Sequence, residues 1–262
     1  MIFFRTFKYL RYIFLAKHHK GHGIHSPFIF NLVSKVFRNK TDSVVVCTIE
    51  KLRKKLMSDH GSITLNDLGS GQEKRTTNIR KVSEIARYSP VPSKYGQLLS
   101  NLASEFGKPM IVELGTSFGL STMYLASGSP DSVVYTIEGS EEAAKIAEGN
   151  FTDAGLKNII TLPGSFDEML PVVFKKGVKP GLVFIDGDHR KEPVLRYFTK
   201  IVEESDNKTV IVIDDIYYSK EMEEAWTEIK NNEKVTVAVD IFRMGIVFFR
   251  KGITQQNYIV RH

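Results

Sequence analysis

The segment Val112-Glu113-Leu114-Gly115-Thr116-Ser117-Phe118-Gly119-Leu120-Ser121 decides how this chain is read. The apolar residues Met110 and Ile111 precede it, and Thr122-Met123-Tyr124-Leu125-Ala126 follow it with helical spacing. The stretch is a strand, a glycine-bearing turn and a helix N-terminus, the arrangement that brings backbone N–H groups up to a nucleotide-like ligand. Its pattern is E-L-G-x-x-x-G. That is one glycine short of the dinucleotide fingerprint G-x-G-x-x-G, and an acid stands two residues before the first glycine. The alternative reading is an ordinary turn between strand and helix in some other α/β protein.

Outward from this motif the sequence alternates. Strand-like runs at 110–114, 132–138, 158–162, 181–186 and 209–214 are each followed by a helix-like run, at 120–127, 141–154, 166–174, 192–204 and 220–231. Two further strands, 235–240 and 244–250, are separated only by Ile241-Phe242-Arg243, which requires an antiparallel hairpin. Five strand–helix units and a terminal hairpin predict an α/β fold with a doubly wound, mainly parallel, seven-stranded sheet. Residues 1–92 read differently. Helical candidates lie at 2–18, 27–38, 46–58 and 79–87, with breaks at Gly21, Gly23, Ser26-Pro27 and Gly69-Ser70-Gly71. The expectation is a helical N-terminal extension over 1–92, with a loose connection around 60–78, followed by the α/β domain over 93–262.

A chain of 262 residues with 42% hydrophobic and 25% charged residues has the composition of a globular protein with a full core. It contains no uninterrupted apolar run long enough to span a bilayer. Its single cysteine, Cys47, cannot form an internal disulfide, so a cytoplasmic location is expected. The net charge of +6 is uneven: residues 1–41 carry eight Lys or Arg and no acid. Aromatic and aliphatic residues interleave with those charges, while Arg11 interrupts the apolar stretch and argues against a signal peptide. An anionic membrane surface, nucleic acid, and the chain's own domain or a homodimer partner compete for this element. The reading taken is packing on protein, with Phe3, Phe7, Leu10 and Phe14 forming one buried apolar stripe at helical spacing.

The E-L-G-x-x-x-G-x-S motif resembles the first motif of the class I S-adenosylmethionine-dependent methyltransferases, in the form found in the catechol and caffeoyl-CoA O-methyltransferase group. The order of elements over about 93–251 is similar to that family's Rossmann-like fold. The resemblance implies S-adenosylmethionine as cofactor. Ser117, Ser121 and the helix N–H groups, with Gly115 and Gly119 shaping the loop, would receive its carboxylate, and Glu113 would face its cationic end. Glu138 ends the second strand of the α/β region, 23 residues after Gly115, where an acid accepts hydrogen bonds from ribose hydroxyls. Ser165 and Phe166, after the third strand, resemble the loop that holds the adenine edge. Gly96-Gln97 echoes a G-Q pair of the same enzymes, or is simply an amphipathic helix start.

Two strand ends carry acids: Asp186-Gly187-Asp188-His189 after one and Asp214-Asp215 after the next. In neighbouring parallel strands these carboxylates come together, and three of them repel unless a cation intervenes. Hard oxygen donors suit Mg²⁺ or Mn²⁺ better than zinc. The resemblance implies Mg²⁺ bound by Asp186, Asp214 and Asp215, with one departure: Asp215 is an acid where the family carries an amide. The other reading keeps Asp186 or Asp214 for the cofactor amine or for loop N–H groups. His189 stands where the family has a lysine general base, and an imidazole suits that role near neutral pH. His18, His19, His22 and His25 read as a loop by the pocket rather than a zinc site, and Trp226 as core. The function so implied is metal-assisted O-methylation of a small-molecule hydroxyl. The rivals are an RNA methyltransferase, which the missing N-P-P-Y-type motif weakens, and a non-catalytic cofactor-binding protein of the same fold. A nicotinamide dehydrogenase lacks its glycine.

Overall fold

The computed structural model describes residues 2–16, 24, 26–67, 76–88 and 90–262, and the four histidines at 18, 19, 22 and 25 lie outside them. The chain divides into two compact units, Lys40–Pro180 on the one hand and Met1–Asn39 with Gly181–His262 on the other. The cuts fall at 39/40 and 180/181 rather than at residue 92. The second unit begins with helix α1, Ile2–Leu15, and the short α2, Pro27–Asn31, which runs into a π-helical turn at Leu32–Val36. Ser26 caps α2 by accepting the Ile29 N–H, and Pro27 starts it at a position where no amide donor is needed.

The Lys40–Pro180 unit opens with α3, Ser43–Met57, capped by the Asp42 carboxylate on the Val44 N–H. An antiparallel hairpin follows, β1 Ser62–Asp67 and β2 Thr76–Lys81, with Ser62 opposite Lys81. Helices α4, Val82–Tyr88, and α5, Ser93–Phe106, lead into three strand–helix units. These are β3 Met110–Leu114 with α6 Leu120–Gly128, β4 Val133–Glu138 with α7 Glu141–Asp153, and β5 Ile159–Pro163 with α8 Phe166–Phe174. Strands β3, β4 and β5 pair in parallel in that order. Every residue of β3 is buried, as expected of a parallel strand covered on both faces.

The hairpin corrects the sequence reading, which made 60–78 a loose connection. Ile63 of β1 joins a core with Ile49, Leu56, Val82, Ile85 and Phe151. The hairpin is also anchored by polar bonds, with the Thr64 N–H donating to Glu142 and the Ser140 hydroxyl to the Thr64 carbonyl. The strand periodicity of Ser62-Ile63-Thr64-Leu65 is short and stands beside a stretch dominated by the glycines at 69 and 71.

In the other unit β6 Leu182–Ile185, α9 Lys191–Glu203, β7 Val210–Ile213 and α10 Lys220–Lys230 precede β8 Val237–Asp240, β9 Gly245–Phe248 and β10 Gln256–Ile259. Strand β6 is parallel to β7, β9 runs antiparallel to both β7 and β8, and β10 is parallel to β8. The terminal hairpin is therefore as expected. The fold is α/β with mainly parallel strands, and beyond the seven strands expected the described residues add β10 and the β1–β2 pair. Trp226 is core: it is buried, and a Cβ on Gly245 would sit 2.5 Å from its ring, so the glycine lets β9 pass beneath the indole.

Helix α1 does not bury the expected stripe against its own chain. Phe3, Phe7, Leu10 and Phe14 are 92%, 64%, 51% and 82% exposed, whereas Tyr12 on the opposite face is 6% exposed. The Tyr12 hydroxyl donates to the Val260 carbonyl at 2.7 Å and accepts from the His262 N–H at 3.0 Å. Lys8 pairs with Glu223, and Arg5 lies 3.5 Å from Asp215. The helix is apolar on more than one face, so period alone could not choose the buried side, and the polar partners of Arg5, Lys8 and Tyr12 did. Among the described residues no helix is long and apolar enough to cross a membrane. Tyr12→Ala should lower the urea-unfolding free energy by about 3–5 kcal/mol. Replacing Phe3, Phe7 and Phe14 together by Ser should change it by less than about 1.5 kcal/mol. Equal losses in the two proteins would contradict this orientation of α1.

Candidate functional site

The loop after β3 is built from left-handed residues at alternate positions: Gly115 at φ 100°, Ser117 at 48° and Gly119 at 83°. Glycine takes such angles without strain. At Gly119 there is a second reason, because a Cβ would lie 2.3 Å from the Phe151 ring. Ser117 has no such freedom and is held by a charge-assisted bond, its N–H donating to Glu138 Oε2 at 2.7 Å. The other Glu138 oxygen accepts from the Ser140 N–H at 2.9 Å. One carboxylate thus ties together the loops that leave β3 and β4. Burial pushes the Glu138 carboxyl up, and these backbone donors oppose the shift.

Glu113 is the penultimate residue of buried β3 and is fully inaccessible. Its Oε2 accepts from the Thr122 and Thr136 hydroxyls, the latter at 2.7 Å, while its Oε1 is buried without a hydrogen-bond partner. Desolvation pushes this carboxyl up to about 7, with Glu138 adding to it and the hydroxyl donors opposing. Helix α6 starts at Gly119 with no side-chain cap, and Ser121 is buried in its first turn. Uncapped N–H groups, a glycine cradle and an unpaired buried carboxylate oxygen fit a ligand carrying both an anionic and a cationic end.

Two further candidates in this unit have structural tasks. Ser165 is the N-cap of α8, and its hydroxyl exchanges bonds with Glu168 in a capping box, with Phe166 half-buried behind it. Gly96 packs α5 on α6, because a Cβ there would lie 2.3 Å from the Tyr124 ring.

The acidic group belongs to the other unit. Asp186 follows β6 and Asp214 follows β7, and the Asp214 N–H donates to the Ile185 carbonyl at 2.9 Å, so the parallel pairing does bring these strand ends together. His189 Nε2 stands 3.8 Å from Asp186 Oδ1, with its ring 5.4 Å from that of Tyr218. Three non-glycine residues here are left-handed, Asp188 at φ 53°, Asp215 at 50° and Phe242 at 71°. Such backbone strain persists only where surrounding structure holds it, and it concentrates at functional sites.

The decisive neighbour is one the sequence reading missed. Arg243, in the link between β8 and β9, donates Nε to Asp214 Oδ1 at 3.0 Å and Nη2 to Oδ2 at 2.7 Å. Asp214 is fully buried. Burial works against the Arg243 charge, but Asp214, Asp215 and Asp186 outweigh it and hold the guanidinium protonated. Arg5 adds a second guanidinium near Asp215. Asp186, Asp214 and Asp215 therefore do not fit a divalent ion: a fixed monovalent cation already grips the most buried carboxylate of the three. Among the described residues no group of three or more His, Cys, Asp or Glu is arranged to hold a metal. Charge balance was the available signal, since three clustered acids require a cation and Arg243 lies in the hairpin link beside them.

The raised Glu113 carboxyl has a stability consequence. Its folded value near 7 exceeds its ordinary 4.5. The stability it contributes is present below about pH 4.5 and is lost as pH rises through about 7. Glu113→Gln should therefore match wild type near pH 4.5. Above pH 7 it should be more stable, by on the order of 3 kcal/mol. Parallel stability–pH curves for the two proteins would contradict the assignment.

Comparison with known proteins shows what this segment is similar to. The profile of a methyltransferase domain matches residues 112–216, which includes Glu113, the glycine loop, Glu138 and both acidic strand ends. A catechol O-methyltransferase of Niastella koreensis is 33% identical over 131 residues, covering 49% of this chain and 57% of the relative. One from Mycobacterium tuberculosis is 31% identical over 136 residues, covering 51% and 60%. The chain thus spans a little over half the length of these relatives. An O-methyltransferase of Bacillus cereus solved with S-adenosylhomocysteine superposes with a TM-score of 0.56 at 21% identity, over 84% of this chain and 97% of that one, and shares the fold. Residues 112–216 match a methyltransferase domain, and about half of the chain is similar in sequence to catechol O-methyltransferases.

Proposed function

We propose that this protein is an S-adenosylmethionine-dependent O-methyltransferase acting on the hydroxyl of a small molecule. The observation that carries this reading is the left-handed glycine loop locked to Glu138, within a segment that matches a methyltransferase domain. The cofactor, when bound, supplies a methyl group on a sulfonium centre. Glu138 would receive ribose hydroxyls while keeping its backbone donors, and the start of α6 with Ser117 and Ser121 would receive the carboxylate. The unpaired Oε1 of Glu113 would face positive charge, which favours the ionised carboxylate despite its burial. Ser165 and Phe166 would border the adenine from the start of α8.

Methyl transfer also requires that the acceptor oxygen lose its proton as the oxygen–carbon bond forms and the sulfur–carbon bond breaks. His189 is the base we assign, and Asp186 beside it would stabilise the imidazolium once the proton has moved. The metal-assisted version of this chemistry, suggested by the three acids in the sequence, is not the version proposed, because Arg243 holds Asp214. An RNA substrate is not favoured either. Arg5 and Lys8 of the basic N-terminal segment face acids of the same chain rather than presenting a phosphate-binding row. A single cysteine accords with a cytoplasmic location.

Calorimetry tests the cofactor assignment. S-adenosylhomocysteine should bind, NAD should not, and Glu138→Ala should weaken binding by about 1–3 kcal/mol, as for loss of a charged acceptor. Binding of NAD without S-adenosylhomocysteine would overturn the reading. A His189→Gln protein that still binds S-adenosylhomocysteine should lose turnover most strongly, and full turnover in that variant would remove the base assignment.

A further inference from the structure

The carboxylates Asp186, Asp214 and Asp215 stand at the end of parallel strands, where three negative charges need a counter-charge. Arg243 supplies it with both the position and the geometry of a resident ion. Its side chain is bidentate on Asp214, at 3.0 and 2.7 Å. Its backbone is fixed independently: the Arg243 carbonyl accepts from Ile216, which follows Asp215, and its N–H donates to Ile241. The preceding residue, Phe242, is left-handed at φ 71°, and the Asp240 carboxylate secures it by accepting the Phe242 N–H at 2.8 Å. The tight link between β8 and β9 is thus shaped to hold a guanidinium against β7. Arg243 also feels Asp215 and Asp186, so all three acids are served by one permanent cation, with Arg5 at 3.5 Å from Asp215 as a second.

A divalent ion needs the lone pairs of Asp214 that the guanidinium occupies, and it would sit beside a like charge that cannot be deprotonated. We infer that Arg243 replaces a divalent metal as the cation of this carboxylate group, and that the protein binds and uses no Mg²⁺ or Mn²⁺ there. Asp214 then serves to position Arg243.

The inference about catalysis rests on the methyltransferase reading, but the binding test does not. Mn²⁺ titrations followed by electron paramagnetic resonance should show no stoichiometric site in the full-length wild-type protein at millimolar metal. Arg243→Gln, which vacates Asp214 while keeping a polar side chain, should gain one site per chain, with Mn²⁺ affinity raised by at least about tenfold. Arg243→Lys keeps the charge and should stay metal-blind, and Asp214→Asn in the Arg243→Gln background should abolish the gained site. A stoichiometric micromolar Mn²⁺ site in wild type overturns the inference, as does an Arg243→Gln protein with native circular dichroism and no gain. If Arg243→Gln does not fold, the wild-type and Arg243→Lys titrations decide. Where S-adenosylhomocysteine binds and an acceptor is found, transfer by wild type should be unchanged in excess EDTA. Loss of S-adenosylhomocysteine binding would remove the methyltransferase reading and leave the metal result standing.

Discussion

A carboxylate wholly or largely buried at or near the end of a parallel strand must find donors within the protein, because little water reaches it. Three acids in this chain meet that constraint in three ways, and the local architecture follows. Glu113 draws the hydroxyls of Thr122 and Thr136 to one oxygen and leaves the other bare. Glu138 collects backbone N–H groups from two loops and so sets their conformation. Asp214 takes a whole guanidinium from Arg243. The first leaves an electrostatic demand unmet, the second shapes a loop, and the third neutralises a cluster.

The left-handed residues show where the backbone yields to those demands. Gly115, Ser117 and Gly119 turn the chain away from β3, while Asp188, Asp215 and Phe242 turn it at the ends of the other unit's strands. Glycine accounts for two of the six. The other four require hydrogen bonds or packing to stay in place, as with Ser117 on Glu138 and Phe242 on Asp240. Residues held in this way are rigid before any ligand arrives, which lowers the entropy lost when one binds.

The N-terminal helix illustrates a different balance. Burying Phe3, Phe7, Leu10 and Phe14 would stabilise the chain by several kcal/mol through apolar area alone. Yet the helix presents that row outward and buries Tyr12, with Arg5 and Lys8 set against acids. Turning it over would take Arg5 from Asp215 and Lys8 from Glu223 and leave the Val260 carbonyl without its hydroxyl donor. Polar satisfaction chose the face, and an apolar moment could not show it.

The sequence by itself determined the order of strands and helices, the glycine loop, Glu138 at the end of its strand, and the pairing of acids after β6 and β7. These are set by local periodicity, turn chemistry and the rule that consecutive parallel strands end on the same side. The hairpin at 62–81 and strand β10 were legible only in part, since short polar-rich strands carry weak periodic signals beside glycine-rich stretches. What tertiary structure alone decided was the partner of each charge. Arg243 lies 29 residues from Asp214 in the chain and meets it only because β9 pairs antiparallel with β7. Composition shows that three acids need a cation, but whether a metal or a side chain supplies it depends on which donor the fold carries there.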